Sequence, residues 1–232
     1  MCGITGFFHK RVAPAEAAKV IESMTNAIIS RGPDSNGRWI NTEKGLALGH
    51  RRLAIQDITL AGHQPMTSAS GRFVIVFNGE IYNHYDLRQE LEQLSSICWN
   101  GYSDTEVLLA GFECWGIEGT IKRVKGMFAF AVYDYKHNRV TLGRDRLGEK
   151  PLYYGWQGDS FVFASELKAI IQHPEFQRAI DRTSLTQYLR YGYVPGARSI
   201  YQGINKLKAG TLLELSLDSG QSNETCYWSV LG

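Results

Sequence analysis

Apolar positions near the start of the chain follow the spacing of one helix face. After Pro14 they recur every three or four residues, at Val20, Ile21, Met24, Ala27 and Ile28. Proline suits the first turn of a helix, because the N–H that it lacks would have no partner there. Gly32 and Pro33 then interrupt the pattern. The sequence therefore predicts a helix that begins near Pro14 and ends close to residues 31–34.

The next apolar runs predict strands. Two short runs cover residues 46–49 and 53–55, and a stronger run covers residues 72–77 and ends at Asn78 and Gly79. Five consecutive apolar residues in the stronger run, Phe-Val-Ile-Val-Phe, are typical of a strand that is buried on both faces.

The rest of the chain contains groups of helices and groups of strands. Helices are predicted at residues 86–94, after Ser103, and at residues 168–172 and 184–191. Strands are predicted at residues 127–133, 139–144, 152–155, 161–164 and 211–217. Because the strands cluster in meanders and do not alternate regularly with helices, the pattern predicts the α+β fold class.

The composition excludes several classes of protein. Of 232 residues, 44% are apolar and 21% charged, as in a globular chain. A formal net charge of +2 gives no general attraction to nucleic acid or to an anionic membrane. No apolar run reaches the roughly 18–20 residues of a membrane span, and no secretory signal is visible. The cysteines are scattered without a CxxC pair, at Cys2, Cys98, Cys114 and Cys226. We therefore expect a cytoplasmic protein that binds neither nucleic acid nor membrane.

Cys2 differs from the other cysteines by its position. If Met1 is removed, Cys2 carries both a thiol and a free α-amine. An α-amine has a pKa of about 7.7–8.0, so it can accept the thiol proton near neutral pH. The alternative is a small apolar residue that begins a strand. Gly3 and Gly6 favour the nucleophile, because they leave room for a substrate beside Cys2.

Short blocks along most of the chain resemble one enzyme family. The chain begins Met-Cys-Gly-Ile-Thr-Gly-Phe, and eight further blocks follow at residues 31–35, 49–55, 62–66, 78–83, 103–106, 126–130, 144–148 and 163–166. In this order they resemble the class II glutamine amidotransferases, which are N-terminal-nucleophile enzymes, and above all the asparagine synthetase branch. The resemblance implies a four-layer αββα sandwich and L-glutamine as the substrate.

The resemblance also assigns residues to the α-carboxylate of glutamine and its surroundings. Arg52 matches the family arginine that takes this carboxylate, which a planar guanidinium can bind through two hydrogen bonds. Its neighbour Arg51 is expected to face away, because consecutive strand residues point to opposite faces. Leu53, Ala54 and Ile55 would shape the pocket largely through their backbone atoms.

Further residues match the groups that bind the ammonium and the reacting amide. Asp104 matches the acidic residue for the substrate ammonium, although an Asp at this place also suits a helix cap. Asn78 and Gly79 match the oxyanion hole, although Asn-Gly is also common in hairpin turns. A helical segment follows them, which weakens the hairpin interpretation. Glu80 would line the same pocket through its backbone.

These residues imply acyl transfer without a metal or another cofactor. The α-amine of Cys2 takes the thiol proton, directly or through a water, and the sulfur attacks the side-chain amide carbon of glutamine. Ammonia then leaves. Water then hydrolyses the γ-glutamyl thioester. The histidines have neither HxH nor HExxH spacing. The resemblance places the charges at residues 144–146 in a structural turn, and they are interpreted as an internal ion-pair network. Residues 62–71 are a candidate lid.

The resemblance divides the chain into a glutaminase domain, residues 2–217, and the start of a connection, residues 218–232. In asparagine synthetases a domain that uses ATP and Mg²⁺ follows, and its phosphate loop does not occur in this sequence. The ammonia acceptor would be this C-terminal synthetase domain or a separate partner, and a homodimer is left open. Three hypotheses remain: the glutaminase half of an asparagine synthetase, the same half of an amidotransferase with a surface-sugar or secondary-metabolite acceptor, and an inactive folded remnant.

Overall fold

The computed structural model describes residues 1–54 and 59–231, in which two six-stranded sheets lie between layers of helix. The strands are β1 (Gly3–Phe8), β2 (Ser35–Asn41), β3 (Leu46–Arg52), β4 (Met66–Thr67), β5 (Phe73–Ile81), β6 (Gly126–Asp134), β7 (Arg139–Arg144), β8 (Tyr153–Gln157), β9 (Ser160–Ala164), β10 (Ile204–Lys206), β11 (Thr211–Ser216) and β12 (Ser222–Cys226). The helices are α1 (Pro14–Ala27), α2 (His84–Leu94), α3 (Asp104–Arg123), α4 (Leu167–Ile170) and α5 (Arg182–Tyr191). α3 is interrupted at Gly116, where φ is 73°.

All strand pairs within the two sheets are antiparallel. Sheet A has the order β10-β8-β9-β1-β3-β2, and sheet B has the order β12-β11-β7-β6-β5-β4. Val74 and Val76 of β5 belong to an apolar core that includes Ile4 and Leu48 of sheet A. The two sheets are therefore packed face to face through this core.

Helices cover the outer face of each sheet. Phe73 and Ile75 of β5 pack in a second apolar cluster with residues of α2 and α3, among them Phe112. A third cluster joins Phe7 of β1 to α1, for example at Ile21. β5 is buried on both faces, as its continuous apolar run predicts. The α+β class and the αββα sandwich are confirmed.

The apolar pattern predicts most of the elements, with errors of a few residues at their ends. It confirms the five helices and the strands β3, β5, β6, β7, β8, β9 and β11. The predicted strand at residues 53–55 is wrong for its described part, because β3 ends at Arg52 and no strand includes Leu53 or Ala54. The Asp34 N–H donates to the Arg52 carbonyl, and the Ala54 N–H donates to the Asp34 carboxylate, so Asp34 fixes the chain where it leaves the sheet.

Strands with polar or mixed sequences were not predicted. They are β1, β2, β4, β10 and β12. β12 lies within residues 218–232, where the sequence predicts the start of a connection, and it pairs with β11 at the edge of sheet B. The domain boundary after residue 217 stays a prediction. Within residues 1–54 and 59–231, no helix is long and apolar enough to cross a membrane.

Candidate active site

A pocket opens beside the first residues of the chain, the end of β5 and the start of α3. Its lining residues are Met1, Cys2, Arg52, Leu53, Gly62, Gln64, Phe77, Asn78, Gly79, Glu80, Ser103, Asp104, Thr105, Met127 and Lys150. All but two of the residues that the sequence assigns to the glutamine site lie in this lining. Ala54 is not among the lining residues, and Ile55 lies outside the described residues.

Cys2 is held by polar contacts to its backbone and side chain. The Arg31 side chain donates from Nε to the Cys2 carbonyl at 2.8 Å and forms an ion pair with Glu166. The Cys2 thiol lies 3.6 Å from the Leu53 carbonyl. Next to it, the Ile4 N–H donates to Ser165 Oγ. The blocks at residues 31–35 and 163–166 thus fix the start of β1.

Met1 occupies the mouth of the pocket. Its side chain is 57% exposed, and its Sδ lies 3.1 Å from the Lys150 ammonium. While Met1 is present, the Cys2 nitrogen belongs to a peptide bond and cannot serve as an amine base. Gly3 and Gly6 do not leave room for a substrate as expected. A Cβ on Gly6 would come within 2.6 Å of the Ala47 carbonyl, so packing inside sheet A explains this glycine.

The two neighbouring arginines of β3 point in different directions, as predicted. Arg51 is 5% exposed and donates to the Thr25 carbonyl at 3.2 Å and to the Asn26 side chain. It therefore ties β3 to α1. Arg52 lines the pocket and donates from Nη1 to the Thr59 carbonyl at 3.0 Å. Of the two, only Arg52 brings its positive charge to the pocket.

Asn78 and Gly79 lie within β5 and not in a hairpin turn. Both pair with β6, and β5 continues to Ile81. The Asn78 side-chain nitrogen is buried and has no hydrogen-bond partner among the described residues. A Cβ at position 79 would come within 2.3 Å of the Met127 carbonyl, so only glycine fits beside β6. The pocket therefore contains a buried amide donor that no described residue accepts from, and an oxygen atom of a ligand could accept its hydrogen bond.

Asp104 begins α3, but it does not cap the helix. The N-cap is Ser103, whose side chain accepts the Thr105 N–H. Asp104 is 6% exposed, and its Oδ2 accepts the Ile81 N–H at 2.9 Å. Burial raises the pKa of the Asp104 carboxyl, and the hydrogen bond from Ile81 opposes that shift. A cation that enters the pocket would stabilise the ionised carboxylate.

Several pocket residues received no role from the sequence. Gln64 and Thr105 lie inside two of the family-like blocks. The sequence therefore indicates that they lie near the site, but it does not indicate which groups they contact. Lys150 follows the block at residues 144–148 and is 5% exposed. The candidate lid at residues 62–71 contains β4, which pairs with β5, so this part of the segment is held in sheet B. Across residues 1–54 and 59–231, no group of three or more His, Cys, Asp or Glu side chains could hold a metal.

Comparisons with known proteins find relatives of this sequence and of this fold. A family model described as a glutamine amidotransferase domain matches residues 1–228. Asparagine synthetase [glutamine-hydrolyzing] 3 of Bacillus subtilis (strain 168) is 39% identical over 99% of this chain and 37% of its own length. Asparagine synthetase [glutamine-hydrolyzing] 1 of the same organism is 36% identical over 98% of this chain and 35% of its own length. A solved structure of glutamine phosphoribosylpyrophosphate amidotransferase from B. subtilis aligns with a TM-score of 0.67 over 98% of this chain and 49% of that one, at 20% identity.

The fold is shared with this solved amidotransferase structure. The chain belongs to the class II glutamine amidotransferase domain family, and the two relatives described above are asparagine synthetases. The predicted family and enzyme class are confirmed. The chain spans a little over a third of the length of these two relatives.

Proposed function

We propose that this chain hydrolyses L-glutamine to glutamate and ammonia. The observation that carries the proposal is the set of groups in one pocket. Arg52 suits the α-carboxylate of glutamine, and Asp104 suits its α-ammonium. The unpartnered Asn78 amide suits the oxygen of the reacting side-chain amide, and Cys2 supplies a nucleophile. These charges and donors complement each functional group of the substrate.

The proposed mechanism has two steps. The Cys2 α-amine, freed by loss of Met1, takes the thiol proton, and Sγ bonds to the amide carbon of glutamine. Asn78 and the Gly79 N–H stabilise the oxyanion. The C–N bond breaks, and the leaving nitrogen takes a proton as it departs as ammonia. Water then attacks the thioester carbon, the C–S bond breaks, and glutamate leaves with the thiol restored.

Leu53 and Glu80 lie in the lining and would complete the proposed site through their backbone, while the roles of Ala54 and Ile55 stay predictions from the resemblance. No metal or cofactor takes part in either step. The ammonia would pass to a synthetase domain that follows this chain, where ATP and Mg²⁺ would serve aspartate amidation. The names and lengths of the relatives support this assignment. An amidotransferase with a different acceptor would use the same pocket, so the partner domain decides between them. A cytoplasmic location agrees with four free cysteines.

The first test replaces the nucleophile. Cys2→Ala should lower the rate of glutamine hydrolysis at least about a thousandfold, because no other group can form the thioester. Cys114→Ala is the matched control, since Cys114 is exposed and lies outside the pocket. Release of glutamate and ammonia is measured for both variants. Equal rates for Cys2→Ala and the unaltered chain would overturn the proposal and favour an inactive remnant.

The second test concerns the amine base. Intact mass and N-terminal sequencing of an active preparation should show a chain that begins at Cys2. A glutamine-like electrophile should then label Cys2 before Cys98, Cys114 or Cys226. An active preparation that retains Met1 would exclude the α-amine as the base, while leaving glutamine hydrolysis itself in place.

A further inference from the structure

We propose that Gln64 is a positioning residue that couples the oxyanion-binding segment of the pocket to its ammonium-binding carboxylate. The inference rests on the proposed function, because it concerns how that site is held in shape. Gln64 is 6% exposed and lines the pocket. Both ends of its side-chain amide are used within the protein, so its contacts differ from those of Asn78.

One end of the Gln64 amide fixes the residue before Asn78. Gln64 Oε1 accepts the Phe77 N–H at 2.6 Å. β4 pairs with β5 only through Met66 and Thr67, which lie opposite Ile75 and Val74. Beyond that point no neighbouring strand reaches the outer edge of β5 within the described residues. The Gln64 side chain therefore supplies the acceptor that a longer β4 would have supplied.

The other end of the Gln64 amide leads to the carboxylate. Gln64 Nε2 donates to Thr105 Oγ1 at 3.3 Å, and that hydroxyl lies 3.4 Å from Asp104 Oδ1, to which it donates. Asp104 Oδ2 in turn accepts the Ile81 N–H. The segment 78–80 is thus tied at both sides, at Phe77 through Gln64 and at Ile81 through Asp104. Gln64 and Thr105 close this chain of hydrogen bonds.

His50 completes the support of Phe77 from sheet A. Its Nε2 lies 3.0 Å from the Phe77 carbonyl, and a carbonyl can only accept, so Nε2 carries the proton. Burial lowers the pKa of His50 to about 3, which leaves the ring neutral at physiological pH. Both polar backbone groups of Phe77 are therefore held by side chains. This arrangement orients the Asn78 amide toward the pocket through Phe77, while both ends of the Gln64 amide are bonded to protein groups.

Two variants separate the two branches of the hydrogen-bond chain. Gln64→Met keeps the side-chain length and removes both contacts, so kcat for glutamine hydrolysis should fall about 10–100-fold as Asn78 loses its alignment. KM should rise as well. Thr105→Val removes only the branch to Asp104, so KM should rise about threefold to tenfold while kcat changes less than about twofold. Steady-state kinetics with the whole chain measures kcat and KM separately for each variant.

Gln157→Met is the matched control for a buried glutamine. Gln157 is 4% exposed and uses its amide in the same way, with Nε2 donating to two carbonyls and Oε1 accepting the Gln177 N–H. It lies outside the pocket. The control should lower Tm as Gln64→Met does, with kcat and KM unchanged. If Gln64→Met does not fold, the test rests on Thr105→Val alone, through its effect on KM compared with its effect on kcat.

The outcomes are distinct. A fall in kcat for Gln64→Met together with a change confined to KM for Thr105→Val supports the inference. Variants that lose thermal stability but keep wild-type kcat and KM, as Gln157→Met should, would show that Gln64 is only structural. A wild-type chain that does not hydrolyse glutamine would overturn the proposed function, and the inference with it.

Discussion

Two neighbouring polar regions of the molecule use similar side chains in opposite ways. The turn at residues 144–150 and the pocket around Asn78 both contain buried polar groups. In the turn, both carboxylate oxygens of Asp145 accept hydrogen bonds from backbone N–H groups. In the pocket, the Asn78 side-chain nitrogen has no partner among the described residues. The difference distinguishes a polar cluster that holds the fold from one that is open to a ligand.

The turn is held by backbone contacts and not by ion pairs. The Asp145 carboxylate is fully buried and accepts the backbone N–H groups of Phe128, Leu147, Glu149 and Lys150. The Arg144 guanidinium donates to the carbonyls of Gly148, Lys150 and Leu207. The expected structural turn is present, but the expected ion-pair network is not, because residues 144–146 form no ion pair with the described residues. Charged side chains at residues 144 and 145 take the place of missing backbone partners.

The largest expected effect concerns the turn. Asp145→Asn replaces one acceptor oxygen by an NH₂ group, so two backbone N–H groups that are buried or partly buried lose their acceptor. Each such group costs about 1–3 kcal/mol, and we expect the free energy of unfolding to fall by about 2–6 kcal/mol. Urea denaturation followed by circular dichroism measures this loss. An Asp145→Asn chain as stable as the unaltered one would remove the contrast between the two regions.

The next effect concerns the pocket and falls on catalysis. Asn78→Leu should lower kcat for glutamine hydrolysis by about 100–1,000-fold, or about 2.7–4 kcal/mol of transition-state stabilisation. Its unfolding free energy should change little, because the lost nitrogen makes no hydrogen bond to the described part of the chain. Kinetics and urea denaturation are measured on the same preparation. A stability loss as large as that of Asp145→Asn would make Asn78 a structural residue.

Arg51 and Arg52 of β3 allow the same comparison between a structural residue and a pocket residue. Arg52→Lys should raise KM for glutamine about tenfold to a hundredfold, because lysine cannot bind a carboxylate through a planar pair of donors; this is about 1.5–3 kcal/mol. Arg51→Lys loses the contacts to Thr25 and Asn26, so it should lower stability by about 1 kcal/mol. KM should stay unchanged for Arg51→Lys. Exchange of the two effects would reverse the assignment of the pocket arginine.

Periodicity identifies the buried elements whose apolar residues form a continuous run or a regular stripe. It misses β1, which is buried throughout, because two glycines and a threonine interrupt its apolar residues. β5 is apolar on both faces and α1 carries a regular apolar stripe, so both are visible in the sequence. β2 and β12 have polar or mixed sequences and lie at sheet edges, where exposed strands need no apolar pattern. The end of β3 was missed because Asp34, far away in sequence, fixes it through hydrogen bonds.

The candidate site was predictable as a set of residues, but its supporting contacts were not. The family-like blocks contain Cys2, Arg52, Asn78 and Asp104, and the structure brings them into one pocket. The role of Gln64 depends on reaching Phe77 and Thr105 in space, across 13 and 41 positions of the chain. Spacing along a sequence carries no information about such contacts.

The smallest expected effect compares the buried histidine behind the pocket with one elsewhere. Burial lowers the pKa of His50 to about 3 and that of His173 to about 4, against about 6.5 in the unfolded chain. The unfolded state thus binds more protons, so stability is complete above pH 6.5 and is lost as the pH falls below it. Between pH 7 and pH 6 each histidine should account for a loss of about 0.7 kcal/mol. The free energy of unfolding is measured by urea denaturation at pH 7 and at pH 6. His50→Gln and His173→Gln should each reduce the difference between the two values by about 0.7 kcal/mol. A pH dependence that neither variant changes would show that other groups titrate, and that burial separates neither histidine from water.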